Sequence, residues 1–193
     1  WNFSGKRFEG VDLVAGGLPC PPFSIAGKQL GEQDERNLFP PALRIIEEIK
    51  PKAVMIENVR GFLSGSFEDY RTHLKGQFRK LGYEVDWRLL NASDFGVSQL
   101  RPRVVIVALK PEFTDFFSWP SPSKGKPPTV ADTLIDLMKA NNWVGATKWA
   151  TLADDIAPTL VGGSKKHGGA DLGPTRAKKA WLSLGVDGKG IAN

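Results

Sequence analysis

Val11-Asp12-Leu13-Val14-Ala15-Gly16-Gly17-Leu18-Pro19-Cys20-Pro21-Pro22-Phe23-Ser24 is an apolar run that ends at two glycines and a proline-braced turn. Residues 11–15 read as a short strand. Proline lacks a ladder donor and fixes its own φ, so residues 19–22 cannot extend that strand. Cys20 is the only cysteine in the 193 residues, and it is predicted just past a strand's carboxyl end, where open α/β sheets gather ligands. A lone cysteine is commonly a small buried hydrophobe. The prolines around this one argue for an exposed sulfur.

Outward from that turn, helix and strand patterns alternate as far as Lys110. Residues 42–49 carry apolar side chains at helical spacing, with Pro40 and Pro41 suited to the first turn and Pro51 beyond the end. Residues 36–39 are left unassigned by the pattern. Ala53-Val54-Met55-Ile56 reads as a strand buried on both faces. Phe67, Tyr70, Leu74, Phe78 and Leu81 form one stripe of a helix that Gly82 ends. Residues 84–90 and 104–109 are two further strands, the second β-branched and buried. Such alternation predicts an α/β fold with a mainly parallel sheet.

Composition changes after Lys110. Pro111, Pro120, Pro122, Pro127 and Pro128 interrupt the chain, as in a connector to a second region. The predicted organisation is therefore residues 1–110 and residues 111–193. Residues 129–140 read as a helix with Val130, Leu134, Leu137 and Met138 on its apolar side. From Asn141 onward the sequence is glycine-rich and irregular, with one short helix expected over 175–184. Trp143, Trp149 and Trp181 are expected in the core.

The bulk numbers narrow the function. Hydrophobic residues make up 41% and charged residues 24%, the proportions of a globular protein with a buried core. No apolar run reaches the roughly 20 residues of a membrane span, and no signal peptide is expected. One cysteine precludes an internal disulfide, which suits a reducing compartment. Two histidines and one cysteine make a metal site unexpected. Lys and Arg outnumber Asp and Glu by 26 to 21, giving +5 and a bias toward a polyanionic partner. Lys165, Lys166, Arg176, Lys178 and Lys179 concentrate that excess near the end, with Asp171 as the sole acid among them. The cluster reads either as a solvated face or as a phosphate-contacting strip.

Three motifs adjoin strands in order: Pro19-Cys20, then Glu57-Asn58-Val59, then Gln99-Leu100-Arg101-Pro102-Arg103. Singly, Glu57 could serve only as a helix-capping partner, and Arg101 and Arg103 only as surface charges. In sequence they resemble the nucleophile (Pro-Cys-Gln), acid (Glu-Asn-Val) and arginine (Gln-x-Arg-x-Arg) motifs of the DNA cytosine-5 methyltransferase family. Gly27, Gly31, Asp34, Arg36, Leu38 and Phe39 match that family's mobile loop and following helix. Leu81-Gly82-Tyr83 and residues 90–97 match its approach to the arginine motif. The resemblance is close over residues 11–109 and looser beyond. Pro21 departs from it, standing where the family most often has glutamine.

The resemblance implies a Rossmann-like, S-adenosylmethionine-dependent methyltransferase sheet, here partial, with an irregular α+β target-recognition region over 111–193. It implies transfer of a methyl group from S-adenosylmethionine to carbon 5 of a cytosine flipped out of double-stranded DNA. Carbon 5 is a poor nucleophile until a thiolate adds at carbon 6, so Cys20 is the implied nucleophile. Glu57, if burial keeps it protonated, is the acid at ring nitrogen 3. Arg103 binds the carbonyl oxygen at ring position 2. Pro19, Ser24, Asn58, Gln99 and Arg101 are implied around the substrate, Asn58 by holding loop geometry and Gln99 in the DNA-facing loop. Leu38 is the implied cofactor contact. The loop over residues 24–33, with Lys28 and the glycines, is expected to close on the extruded base. A restriction-modification or phage-type enzyme is implied, monomeric, cytoplasmic and nucleoid-associated.

Two family motifs find no match. Phe3-Ser4-Gly5 is followed by Lys6 and Arg7 rather than by a Phe-x-Gly-x-Gly turn, and Gly190-Ile191-Ala192-Asn193 is not the family's closing Gly-Asn-Ala type. The chain starts at Trp1, and the expectation is a truncated enzyme, inactive alone. Three alternatives stand beside this one. They are a non-catalytic DNA-binding relic, a transfer-RNA cytosine-5 methyltransferase, and a cysteine hydrolase using His73 or His167, though no motif places either histidine near the thiol.

Overall fold

The computed structural model describes residues 3–18, 37–160 and 172–188. They fall into two compact units, residues 1–90 with 103–120 and residues 91–102 with 121–193. Composition changes at Lys110, whereas the compact units divide at Pro120 and assign residues 91–102 to the second.

The first unit is built on a four-stranded sheet of order β1-β2-β4-β3: β1 (Leu13–Gly17), β2 (Ala53–Val59), β3 (Glu84–Asn91) and β4 (Pro102–Leu109). Strand β1 runs parallel to β2, with Gly17 opposite Glu57. Strand β4 runs antiparallel to β2, with Val59 opposite Arg103 and Ala53 opposite Leu109. The sheet is thus mixed rather than mainly parallel. Only residues 92–101 join β3 to β4, with one 3-10 turn and no helix, and a parallel crossover needs about a dozen residues or more.

Helices α1 (Phe39–Ile49) and α2 (Glu68–Lys80) supply Phe39, Ile46, Tyr70, Leu74 and Phe78 to the core shared with Val54, Ile56, Val104, Ile106 and Ala108. Helix α1 starts at Phe39, one residue before the Pro40-Pro41 first turn that the sequence suggests. Asn37 explains it: its Oδ1 accepts the Phe39 N–H at 3.1 Å, and its amide donates to the Tyr70 hydroxyl at 2.9 Å. Lys50, at φ 56°, ends α1, and Gly82, at φ 79°, follows the end of α2.

Strands β2 and β4 are not buried on both faces. Alternate residues of each point into the core, while Met55 on the other face is 45% exposed. Both faces carry apolar side chains, but α1 and α2 share one buried cluster with a single face of the sheet. Phe62, fully buried just after β2, stacks on Phe39 at 5.7 Å and meets Trp87 edge-on at 6.2 Å. It ties the end of β2 to α1 and β3.

Tyr83 is buried and donates its hydroxyl to the Pro51 carbonyl at 2.7 Å, with Lys110 Nζ 4.0 Å from the ring centre. Burial pushes this phenol up to about 12. An unfolded tyrosine titrates near pH 10, so the contribution is complete below about pH 10 and is lost as pH climbs toward 12. Tyr83→Phe should cost about 1 kcal/mol at neutral pH by deleting the hydrogen bond. Urea titrations at pH 8 and pH 11 should show the wild-type advantage shrinking at the higher pH; a constant gap would contradict the assignment.

The second unit contains α3 (Val130–Lys139), α4 (Ala146–Leu152) and α5 (Thr175–Ser183) among its described residues. Thr129 and Asp132 close a reciprocal capping box on α3, each side chain accepting the other's backbone N–H at 3.1 and 2.9 Å. Val130, Ala131, Trp149, Ala153, Ala157, Trp181 and Leu184 form the core of this unit. Helix α4 was not expected, because seven residues make only about two turns and leave little periodicity to detect. Trp149 and Trp181 are buried as expected, but Trp143 is 45% exposed. Its indole folds back over Gly145, where an added Cβ would lie 2.7 Å from the ring.

Candidate active site

Glu57, Asn58 and Val59 are the last residues of β2 itself rather than a segment after it, and Arg103 is the second residue of β4. The antiparallel register pairs Glu57 with Val105 and Val59 with Arg103. Glu57 and Arg103 are therefore diagonal neighbours on one face of the sheet, within reach of long side chains. Arg103 Nε pairs with Glu57 Oε1. The Glu57 side chain is 43% exposed and that of Arg103 is 23% exposed. The sequence expectation of a buried carboxyl is corrected here. Glu57 lies on the face that carries exposed Met55, opposite the helices, and it is held by an ion pair rather than by apolar burial.

Gly17 borders this pair. A Cβ on Gly17 would lie 3.2 Å from Glu57 Oε2, so the absence of a side chain at the end of β1 leaves room for the carboxylate. Asn58 points the other way and is fully buried. Its Oδ1 accepts the Val59 N–H at 2.9 Å, fixing the backbone where β2 ends. The acid and the amide of Glu57-Asn58 thus face opposite sides of the sheet, as adjacent strand residues must.

Gln99 and Arg101 belong to the second unit. Gln99 forms a parallel bridge with Ala157, and its Oε1 accepts the Leu160 N–H at 3.2 Å. Arg101 is exposed and has φ 27°. A non-glycine residue there is strained by about 1–3 kcal/mol, and Pro102 after it disfavours helical conformations at this position as well. The carbonyls of Leu100 and Arg101 both accept from Ala92 N–H, at 3.1 and 3.4 Å, and close the turn. Leu38 is the N-cap residue of α1. With Phe3, Leu18, Pro41, Ala42 and Ile45 it lines an apolar cavity of about 300 Å³. Phe3 and Leu18 carry no motif, and only the fold reveals their place beside Leu38. Pro19, Cys20 and Ser24, with the loop over 24–33 and Lys165, Lys166 and His167, lie outside the described residues.

The family model for C-5 cytosine-specific DNA methylase matches residues 2–169. The chain belongs to that family. Among relatives of this C-5 cytosine-specific DNA methylase chain, Type II methyltransferase M.NaeI of Lentzea aerocolonigenes is 60% identical over 95% of the chain and 44% of its own length. Type II methyltransferase M.NgoMIV of Neisseria gonorrhoeae is 60% identical over 82% of the chain and 51% of its own length. The chain spans about half the length of these curated relatives. The solved structure of the Entamoeba histolytica methyltransferase EhMeth superposes with a TM-score of 0.52 at 19% identity, covering 73% of this chain and 48% of that one, a likeness of fold.

Enzymes of this family take their methyl group from S-adenosylmethionine. The cavity at Leu38 suits the flat apolar part of such a molecule, since its six lining side chains offer almost no polar surface. Among the described residues no three His, Cys, Asp or Glu side chains gather as metal ligands, and no helix is long and apolar enough to cross a membrane.

Proposed function

We propose that this chain carries the base-activating part of a DNA cytosine-5 methyltransferase of a Type II restriction-modification system. The observation that carries the reading is the contact between Glu57 and Arg103 on one face at the end of β2. Ring nitrogen 3 and the carbonyl at position 2 are adjacent on cytosine. An acid serving one and a guanidinium serving the other must stand side by side, as these two do.

In this reading Cys20 adds as a thiolate to carbon 6 of the flipped-out base. Glu57, protonated once the entering base draws Arg103 onto its carbonyl, delivers that proton to nitrogen 3, so the ring becomes a neutral enamine, nucleophilic at carbon 5. S-adenosylmethionine, when bound, supplies an electrophilic methyl group at that carbon. Loss of the carbon 5 proton to a base then expels the Cys20 thiolate, and return of the nitrogen 3 proton to Glu57 leaves the neutral aromatic ring. Arg103 holds the carbonyl oxygen and supplies positive charge where density accumulates. Asn58 acts through the backbone by fixing the end of β2, Leu38 lines the cofactor cavity, and Pro19 and Ser24 serve the substrate beside Cys20. Residues 1–110 are the catalytic portion. Residues 111–193, with Gln99 and Arg101, face duplex DNA, and Arg176, Lys178, Lys165 and Lys166 are the cations offered to bases and phosphates. The assembled enzyme works as a cytoplasmic monomer, and the 193 residues alone transfer no methyl group.

Duplex DNA carrying 5-fluorocytosine at the target tests this in the full-length polypeptide that holds this sequence. Fluorine cannot leave carbon 5 as a proton does, so the adduct should persist through denaturation and map to Cys20. Binding without any adduct would instead favour the non-catalytic relic, and trapping on fluorinated transfer RNA but not on DNA would favour the RNA enzyme.

A further inference from the structure

The segment before β1 is tied to α1 by a charged fork. Glu48 Oε2 accepts from the Gly5 N–H at 2.5 Å and from Ser4 Oγ at 3.0 Å. Its other oxygen pairs with Arg44 at 2.6 Å, and Arg44 donates in turn to the Phe3 carbonyl at 2.8 Å. The Gly5 N–H, with help from Ser4 and Arg44, holds the Glu48 carboxyl below the usual glutamate range. Gly5 is buried against α1 so closely that a Cβ there would lie 2.8 Å from Ile49 Cγ1 and 3.1 Å from the Ile45 carbonyl.

Four hydrogen bonds thus make up the fork, and two of them hold backbone groups of the segment, the Gly5 N–H and the Phe3 carbonyl. What they place is the side chain of Phe3. Phe3 lines the cavity at Leu38, and its ring also meets Arg7 and Phe8, the two phenyl rings stacked at 6.1 Å. Helix α1 contributes Pro41, Ala42 and Ile45 to the same cavity from the turns on either side of Arg44. Arg44 and Glu48 therefore join the two walls of the cavity, the helix on one side and the Phe3 segment on the other.

We propose that Arg44 and Glu48 are positioning residues for the methyl donor. They set the distance between the Phe3 and Leu38 walls, and so the fit of the flat, apolar part of S-adenosylmethionine between them. The inference rests on assigning the Leu38 cavity to that cofactor. A site whose walls are misplaced by about an ångström loses binding even when every contacting residue is present.

The test is calorimetric binding of S-adenosylhomocysteine to the full-length polypeptide, with Glu48→Ala, Glu48→Gln and Leu38→Ala compared. Glu48→Ala should weaken binding about tenfold, the scale of one lost charge-assisted hydrogen bond, with turnover at saturating cofactor unchanged. Glu48→Gln retains an acceptor for the Gly5 N–H and should recover most of the affinity. Hydrogen exchange should quicken at Gly5 in the alanine variant while the Phe62 and Ile106 amides stay protected, which separates a displaced wall from general unfolding. Leu38→Ala should weaken the same ligand. If Leu38→Ala weakens binding and Glu48→Ala does not, the fork has no part in the site. If Leu38→Ala is also without effect, the assignment of the cavity itself falls.

Discussion

Cys20→Ser should abolish methyl transfer by the full-length polypeptide and should leave duplex binding intact. Serine preserves the size of the side chain and removes the chemistry. A thiol reaches its anionic form near neutral pH, especially beside a guanidinium, whereas an alcohol does not. Sulfur is also the better leaving group when the adduct must collapse, so both the first and the last covalent steps depend on it. Nothing in phosphate contact requires a thiolate. Incorporation of a labelled methyl group, measured beside an electrophoretic mobility shift on the same duplex, separates the two properties. A serine variant that still methylates removes residue 20 from the reaction.

Glu57→Gln should lower methyl transfer by about 10²–10⁴, the ordinary weight of a positioned general acid. The glutamine amide can still meet ring nitrogen 3, but it delivers no proton, and it forfeits the ion pair with Arg103. The substitution touches the less-covered face of the sheet, away from the buried side of β2, so a thermal melt should move little. Single-turnover methylation at saturating DNA and cofactor is the measurement. A rate within a few fold of wild type would mean that Glu57 orients Arg103 and does no acid work.

Much of the first unit could be anticipated because its signals are local. The stripe from Phe67 to Leu81, the β-branched run before Lys110 and the Pro40-Pro41 start each follow from short-range rules, and α2, β4 and α1 are found where those rules put them. The antiparallel course of β4 was hidden in the length of the link over 92–101, which the alternation of elements obscured. One-sided burial of β2 was hidden too: Met55 is as apolar as Ile56, and which face a helix covers is a property of the packing. At the site, residue types and spacing pointed to Glu57 and Arg103 through family resemblance, yet their pairing depends on a cross-strand register that sequence does not display. Phe3, Leu18 and the Arg44–Glu48 fork had no motif to reveal them. Hydrogen bonds to backbone groups some forty positions away leave no periodic trace.

Position 17 sets a clearance. A single methyl there would press within 3.2 Å of Glu57 Oε2, so even alanine would displace the carboxylate by a few tenths of an ångström. Constellations that do chemistry tolerate about half an ångström in all. The strand next door therefore gauges where the Glu57 carboxylate rests, and a bare backbone atom, carrying no charge itself, governs the aim of the group proposed as the acid.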